Sequence, residues 1–264
     1  MFKKFKLVFC ISLFTSLASA FPADLMLENK PIDSLCFFNL ENNKSTINLK
    51  QCGIKKEKYI LKGTNADLIK KGYIGYDWQD PTLQGSAQGY SYYRYFNAGN
   101  NQFWVYTINN GGGSGDFTAI NLVKYKNKDK LELKNINGGD RCNGGISDVS
   151  YKNDKLLFGM HLTAYDLIKL ANKAPTSLKA YDDLAACAVC CVATAKYEVS
   201  SSATSTLLYV DLNLVKSIKE MPEQGQLQSC FNKMLVSYID AGFTRLNNDQ
   251  LSQLADKFNK LCVH

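Results

Sequence analysis

The sequence predicts an α+β fold, in which an antiparallel β-meander in the first half packs with a disulfide-stapled helical C-terminal part. Short runs rich in β-branched and aromatic residues, separated by turn residues, continue as far as His161. From Leu162 onwards apolar residues recur at spacings of three and four, and cysteines lie on both sides of this change. We therefore expect a β-rich part over residues 21–161 and a helical part over residues 162–264, packed as one compact unit.

The β-rich part is expected to consist of short strands joined by tight turns. Asn127–Asp129 and Lys152–Asp154 are typical of hairpin turns, and one short helix, Ala66–Lys71, is capped by Thr64 or Asn65 and ends at Gly72. Strands that follow one another through such turns favour an antiparallel meander. The predicted strands are Leu35–Leu40, Tyr59–Leu61, Tyr90–Phe96, Gln102–Ile108, Phe117–Tyr125, Leu131–Ile136, Ser147–Tyr151 and Leu156–His161.

The helical part is expected to begin with a capping box, because Thr163 is followed three residues later by Asp166. This first helix is predicted to reach about Lys173, where Pro175 prevents its continuation. Residues 207–212 fit either a strand or the start of a helix. The other predicted helices are Leu184–Ala195, which consists of small residues, and two amphipathic ones, Gln226–Ala241 and Asn248–Cys262.

The first twenty residues predict a cleavable export signal. Lys3, Lys4 and Lys6 precede a short apolar stretch, and small residues ending at Ala20 suit signal peptidase, so we expect the mature chain to begin at Phe21. The apolar stretch is much shorter than the roughly twenty residues that cross a bilayer. The predicted location is the periplasm or the medium, and no membrane span is expected.

Eight cysteines remain after this signal, which in an oxidising compartment predicts four disulfides. We expect Cys36 to pair with Cys52, Cys230 to pair with Cys262, and Cys142 to pair with one member of the cluster Cys187, Cys190 and Cys191, whose other two members pair together. A redox site at Cys187 and Cys190 is the alternative, but the neighbours typical of thioredoxin-like sites are missing. Zinc binding by the cluster lacks a fourth ligand.

Charge argues against a nucleic-acid partner. Removing the three signal lysines leaves 28 basic and 24 acidic residues, a net charge of +4. Only three of the basic residues are arginines, and the lysines are scattered among acids, whereas nucleic-acid binders concentrate basic residues on one face.

Histidine is too scarce for most metal and nucleophile chemistry. The chain has two, and one of them, His264, is the last residue, so a serine or cysteine triad would depend on His161. We expect His161 to be a packed or capping residue, and we expect no metal and no cofactor. Gly111–Gly115 resembles a phosphate-binding loop only in composition, because an aspartate and a predicted strand follow it.

The segment Gly138–Gly145 is the most unusual in the chain, with four glycines around Asp140, Arg141, Cys142 and Asn143. Glycine opens backbone conformations closed to other residues, while the cysteine fixes the loop. Asp140, Arg141 and Asn143 are therefore candidate binding residues for an anion, a carboxylate or a sugar hydroxyl. The sequence favours the alternative that Arg141 braces its own loop.

Aromatic residues are dense between Tyr73 and Tyr106, where eleven occur. Tyr92 and Tyr93 are adjacent, as are Phe103 and Trp104, so one member of each pair is expected to point away from the other on a regular strand. Trp78, Tyr93 and Trp104 are the candidates for an outward surface that binds a sugar or a protein. The alternative is a second layer that covers this face.

These observations favour a non-catalytic binding or inhibitor-type protein that recognises another protein or a cell-envelope glycan. The first alternative is a secreted hydrolase with paired carboxylates, drawn from Asp77, Asp80, Asp116, Asp140 and Asp148. The second is a thiol-disulfide protein that uses the Cys187 cluster.

Overall fold

A computed structural model describes residues 24–38, 46–53, 58–83, 88–200, 202–212, 214, 221, 223 and 225–263. The predicted signal peptide lies outside these residues. Most of the described chain is antiparallel sheet, and the longest helices follow in the C-terminal part. A two-stranded ribbon at the start of this part is formed by β1 (Met26–Leu27) and β2 (Lys30–Pro31).

A seven-stranded antiparallel sheet contains most of the first half, in the order β3-β9-β8-β7-β6-β5-β4. Six consecutive strands form a meander, and β3 joins its far edge by pairing with β9. Every predicted strand between residues 59 and 136 is confirmed, with longer bounds. The strands are β3 (Thr46–Asn48), β4 (Ile60–Gly63), β5 (Ile74–Gln79), β6 (Gln88–Gly99), β7 (Gln102–Asn110), β8 (Phe117–Asn127) and β9 (Lys130–Asp140).

The strand predicted at Leu35–Leu40 is wrong where the structure describes it. Ser34–Cys36 is a 3₁₀ helix, and the Asp33 side chain caps it by accepting a hydrogen bond from the backbone N–H of Leu35 at 2.9 Å. All three residues of the helix are buried, so they fill a gap beside the sheet instead of extending it. Residues 39 and 40 lie outside the described residues.

A second, five-stranded antiparallel sheet has the order β10-β11-β12-β13-β14 and draws strands from both sides of Leu162. The helix predicted at Leu184–Ala195 is wrong, because its last residues open β12 and the rest form turns. Residues 207–212 fall largely in β13, which decides between the two predicted alternatives. The strands are β10 (Ile146–Lys152), β11 (Lys155–Leu162), β12 (Ala193–Val199), β13 (Ser205–Asp211) and β14 (Arg245–Leu246).

Within the described residues, four α-helices accompany the sheets. The short helix α1 (Ala66–Lys70) is capped by the Asn65 side chain, as predicted. The helix α2 (Ala164–Leu170) begins with the predicted capping box of Thr163 and Asp166 and ends earlier than expected. The two amphipathic helices are confirmed as α3 (Gly225–Asp240) and α4 (Asn248–Cys262).

The central strands of the seven-stranded sheet are covered on both faces. The N-terminal segment, residues 24–53, packs Leu25, Ile32, Phe37 and Ile47 against one face. The other face packs into the large core shared with the second sheet and helices α2 to α4. Burying apolar area on both faces stabilises the sheet, and the central strands β6 and β7 carry apolar residues in both alternating positions.

Among the described residues, no helix is long and apolar enough to span a bilayer.

The predicted disulfide pattern is confirmed, and Cys191 is the member of the cluster that pairs with Cys142. Disulfides of this number are typical of proteins that fold outside the reducing cytoplasm. The pairs are Cys36–Cys52, Cys142–Cys191, Cys187–Cys190 and Cys230–Cys262.

Candidate functional site

The Gly138–Gly145 segment turns the chain from β9 into β10. Asp140 and Asn143 exchange backbone hydrogen bonds, at 3.0 and 2.8 Å, which closes the turn. Arg141 has a positive φ of 47°. A Cβ atom on Gly139 would lie 2.0 Å from the Asn143 carbonyl oxygen, so only glycine allows the backbones to approach this closely.

Neighbouring elements hold this turn on two sides. Cys142 is joined to Cys191, and its backbone N–H donates to the Ala188 carbonyl at 3.1 Å. On the other side His161 and Gly145 share a hydrogen bond of 2.9 Å from the His161 N–H. The turn is therefore a fixed part of the fold.

Asp140 and Arg141 form a bidentate ion pair. The Arg141 Nε and Nη2 atoms donate to the two Asp140 carboxylate oxygens at 2.9 and 3.0 Å, and the Asp116 backbone N–H donates to Oδ1 at 2.8 Å. The hydrogen bonds from Arg141 hold the pKa of Asp140 below its usual value. The carboxylate thus stays ionised and braces the turn, while the Arg141 side chain remains 35% exposed.

A network of tyrosines and carboxylates extends from this ion pair along the sheet. The Tyr90 hydroxyl donates to Asp116 Oδ1 at 3.0 Å, and the Tyr92 hydroxyl donates to Asp77 Oδ1 at 2.9 Å. Burial, followed by the Asp116 charge, raises the pKa of Tyr90 to about 12. Tyr90 therefore stays protonated and donates to an acceptor that is fixed in place.

An exposed aromatic ring stands beside the ion pair. Phe117 is the first residue of β8 and the cross-strand partner of Asp140, and 54% of it is exposed. Its ring lies over Gly115, because a Cβ atom there would be 2.5 Å from ring carbon Cε2. We call the surface formed here the loop end of the sheet. It comprises Tyr90, Asp116, Phe117, Asp140, Arg141 and Asn143.

The sequence identified half of the loop end. Asp140, Arg141 and Asn143 lie there together, and Asn143 is exposed. Tyr90 and Asp116 were noted only as members of larger groups, and Phe117 was not singled out. The sequence pattern does not reveal that Phe117 is exposed, because β8 carries apolar residues on both faces.

The three aromatic residues expected at an outward surface lie in the core. Trp78 is 2% exposed, Tyr93 is fully buried and Trp104 is 1% exposed. Tyr93 donates its hydroxyl to the Ile32 carbonyl at 2.8 Å, inside the N-terminal segment, and Trp78 packs edge-on against Tyr59. Covering layers on both sides of the sheet therefore remove these rings from any surface ligand.

His161 lies on the open polar face of the second sheet. Its Nδ1 atom is 3.2 Å from the Thr194 hydroxyl, and burial lowers its pKa. A bulge in β10 directs Asp148 towards Lys196, with which it forms an ion pair. Ser147 lies on the same face, but its hydroxyl oxygen is buried and is therefore not placed to attack a substrate.

The Cys187–Cys190 disulfide lies in a turn before β12, with the exposed Val189 between its cysteines. The setting that lowers a thiol pKa is a helix N-terminus, and the turn does not provide one. Within the described residues, no three or more His, Cys, Asp or Glu side chains are grouped to hold a metal ion.

Comparison with known proteins gives no relative. No family model, no curated protein and no solved structure matches this chain.

Proposed function

We propose that this chain is an exported, disulfide-stabilised α+β binding protein, and that the loop end binds a glycan of the cell envelope without catalysing a reaction. The observation that carries the proposal is the exposed Phe117 ring beside the fixed Asp140–Arg141 pair. Aromatic rings stack on the apolar faces of sugars, while carboxylates accept and arginine donates hydrogen bonds to their hydroxyl groups.

The protonation states support binding over hydrolysis. A carboxyl group that acts as general acid has a raised pKa, because it must hold its proton at working pH. Asp80, Asp140 and Asp148 are instead shifted below the usual value, by hydrogen bonds from Thr82, Arg141 and Lys196 respectively. Ionised carboxylates held by internal partners suit ligand recognition.

Preorganisation supports the same proposal. The turn is closed by backbone hydrogen bonds, fixed by Cys142–Cys191 and braced by Arg141, so little conformational entropy remains to be lost on binding. A fixed surface binds more tightly than a mobile one that presents the same groups.

The test is binding of the mature protein to a panel of immobilised oligosaccharides that includes peptidoglycan fragments. We expect Phe117→Ala to weaken binding about tenfold or more, in keeping with loss of an aromatic contact, and to leave Tm unchanged. Phe243→Ala is the matched control, because Phe243 is 41% exposed and lies between α3 and β14. Absence of binding to every oligosaccharide, or equal loss in both variants, would contradict the proposal.

A further inference from the structure

Among the described residues, no strand pairs with the outer edge of β4. This strand is last in the order of the seven-stranded sheet, and within the described part of the chain only β5 pairs with it. All four of its residues are exposed. The N–H and C=O groups along such an edge form a template for another strand.

Two large apolar side chains stand on this edge. Ile60 is 48% exposed and Leu61 is 57% exposed. Because successive residues of a strand point to opposite faces, a ligand lying on one face of the sheet covers only one of them. A strand added beside β4 flanks both side chains at once.

Further apolar residues lie close to this edge in the chain. Ile69, in α1 directly after β4, is 42% exposed. Leu83 is 48% exposed and follows Asp80, which forms an ion pair with Lys58 at the start of β4. In space α1 packs against β5, so Ile60 and Leu61 are the exposed apolar residues on the edge strand itself.

A lysine lies on the edge strand itself. Of the four lysines in residues 58–71, Lys58 pairs with Asp80 and Lys70 with Asp67, whereas Lys62 belongs to β4. Lys62 is exposed and forms the bulge of β4, between the paired residues Leu61 and Gly63. Lysine on an edge opposes pairing with an identical edge, because two copies would bring like charges together. Lys62 therefore favours a partner strand that places an acidic side chain beside it.

We propose that the β4 edge binds an extended segment of another protein, in which apolar and acidic residues alternate, as an added strand of the sheet. The segment's backbone pairs with β4, its apolar side chains cover Ile60 and Leu61, and one of its acids faces Lys62. This edge contains no residue of the loop end, so the glycan-binding proposal and the strand-binding proposal can be tested independently.

The probe is a dye-labelled peptide of eight residues that alternates valine and glutamate, titrated with the mature protein and followed by fluorescence anisotropy. We expect saturable binding that weakens with added salt, and slowed amide hydrogen exchange over Ile60–Gly63. The double variant Ile60→Thr with Leu61→Thr keeps β propensity and should bind about tenfold more weakly. Leu208→Thr, at a 42% exposed position in β13, is the matched control and should bind normally.

A charge reversal tests the partner's chemistry independently of the double variant's folding. Lys62→Glu should weaken binding of the valine–glutamate peptide and favour a peptide that alternates valine and lysine. The proposal is overturned if the first peptide shows no saturable binding, if the wild-type protein binds both peptides equally, or if peptide-free protein self-associates through this edge in sedimentation.

Discussion

At the scale of single residues, Arg141 is the brace that the sequence favoured. Two of its nitrogens donate hydrogen bonds to the Asp140 carboxylate, which also accepts a hydrogen bond from the Asp116 backbone N–H. We expect Arg141→Ala to lower Tm at neutral pH, because the turn loses the partner of its ionised carboxylate. Asn143→Ala, in the same turn, is the control and should leave Tm nearly unchanged.

The same pair predicts a pH dependence. The pKa of Asp140 is lower in the folded protein than its ordinary value of 3.8, so the pair contributes stability above that pH and loses it as the pH falls through the folded value. The Tm difference between wild type and Arg141→Ala should therefore be largest near neutrality and narrow below about pH 4. Thermal melts from pH 7 to pH 3 measure it, and a constant difference would contradict the pairing.

Gly139 is a second residue on which the turn depends. A Cβ atom there would lie 2.0 Å from the Asn143 carbonyl oxygen, and backbone cannot move aside as a flexible side chain can. We expect Gly139→Ala to destabilise the fold by about 1–3 kcal/mol or more. Gly113→Ala is the control, since a Cβ atom there meets nothing within 4 Å. Chemical denaturation of both variants measures the difference, and equal stability would refute the close approach.

Residue types at the loop end were easier to predict than residue exposure. Asp140, Arg141 and Asn143 stood out because glycines and a cysteine surround them. The outward placement of Trp78 and Trp104 was inferred from strand alternation, which assumes that one face of the sheet is exposed to solvent. Both faces are covered here, so the alternation carried no such information.

At the scale of elements, hairpin chemistry and helix capping were reliable guides. The turns at Asn127–Asp129 and Lys152–Asp154 and the caps at Asn65 and Thr163 depend on local hydrogen bonds, which the sequence itself specifies. Strand β5 was missed, although Ile74, Tyr76 and Trp78 alternate with Gly75, Asp77 and Gln79 in the pattern of a strand.

The helix expected at Leu184–Ala195 shows where local reasoning fails. Its backbone groups bond to distant partners: Ala185 N–H donates to the Gln228 side chain at 2.8 Å, and Val192 N–H donates to the Leu162 carbonyl at 2.9 Å. Alanine is the strongest helix former, so local propensity favours the helix, and these tertiary hydrogen bonds override it. The regular alternation of Ala193–Val199 was the available signal for a strand.

At the scale of the whole molecule, the four disulfides differ in how much chain they close. Chain-entropy estimates give about 4 kcal/mol for Cys142–Cys191, which spans 49 residues, and about 2 kcal/mol for Cys187–Cys190, which spans 3. We therefore expect the double serine variant of Cys142 and Cys191 to lose more stability than that of Cys187 and Cys190. Urea denaturation of the two variants measures the order, and the reverse order would contradict it.

The pairing of β3 with β9 sets an order of assembly. Ile47 in β3 meets Leu131 in β9, 84 positions later in the chain. At a synthesis rate of about 5–20 residues per second, roughly 4–17 seconds pass between the emergence of the two strands. The N-terminal segment is thus made before the sheet that it covers. Phe37 of this segment packs against Tyr93 of β6, so its ring stays exposed at least until that strand has been made, and during this interval the chain most needs a chaperone.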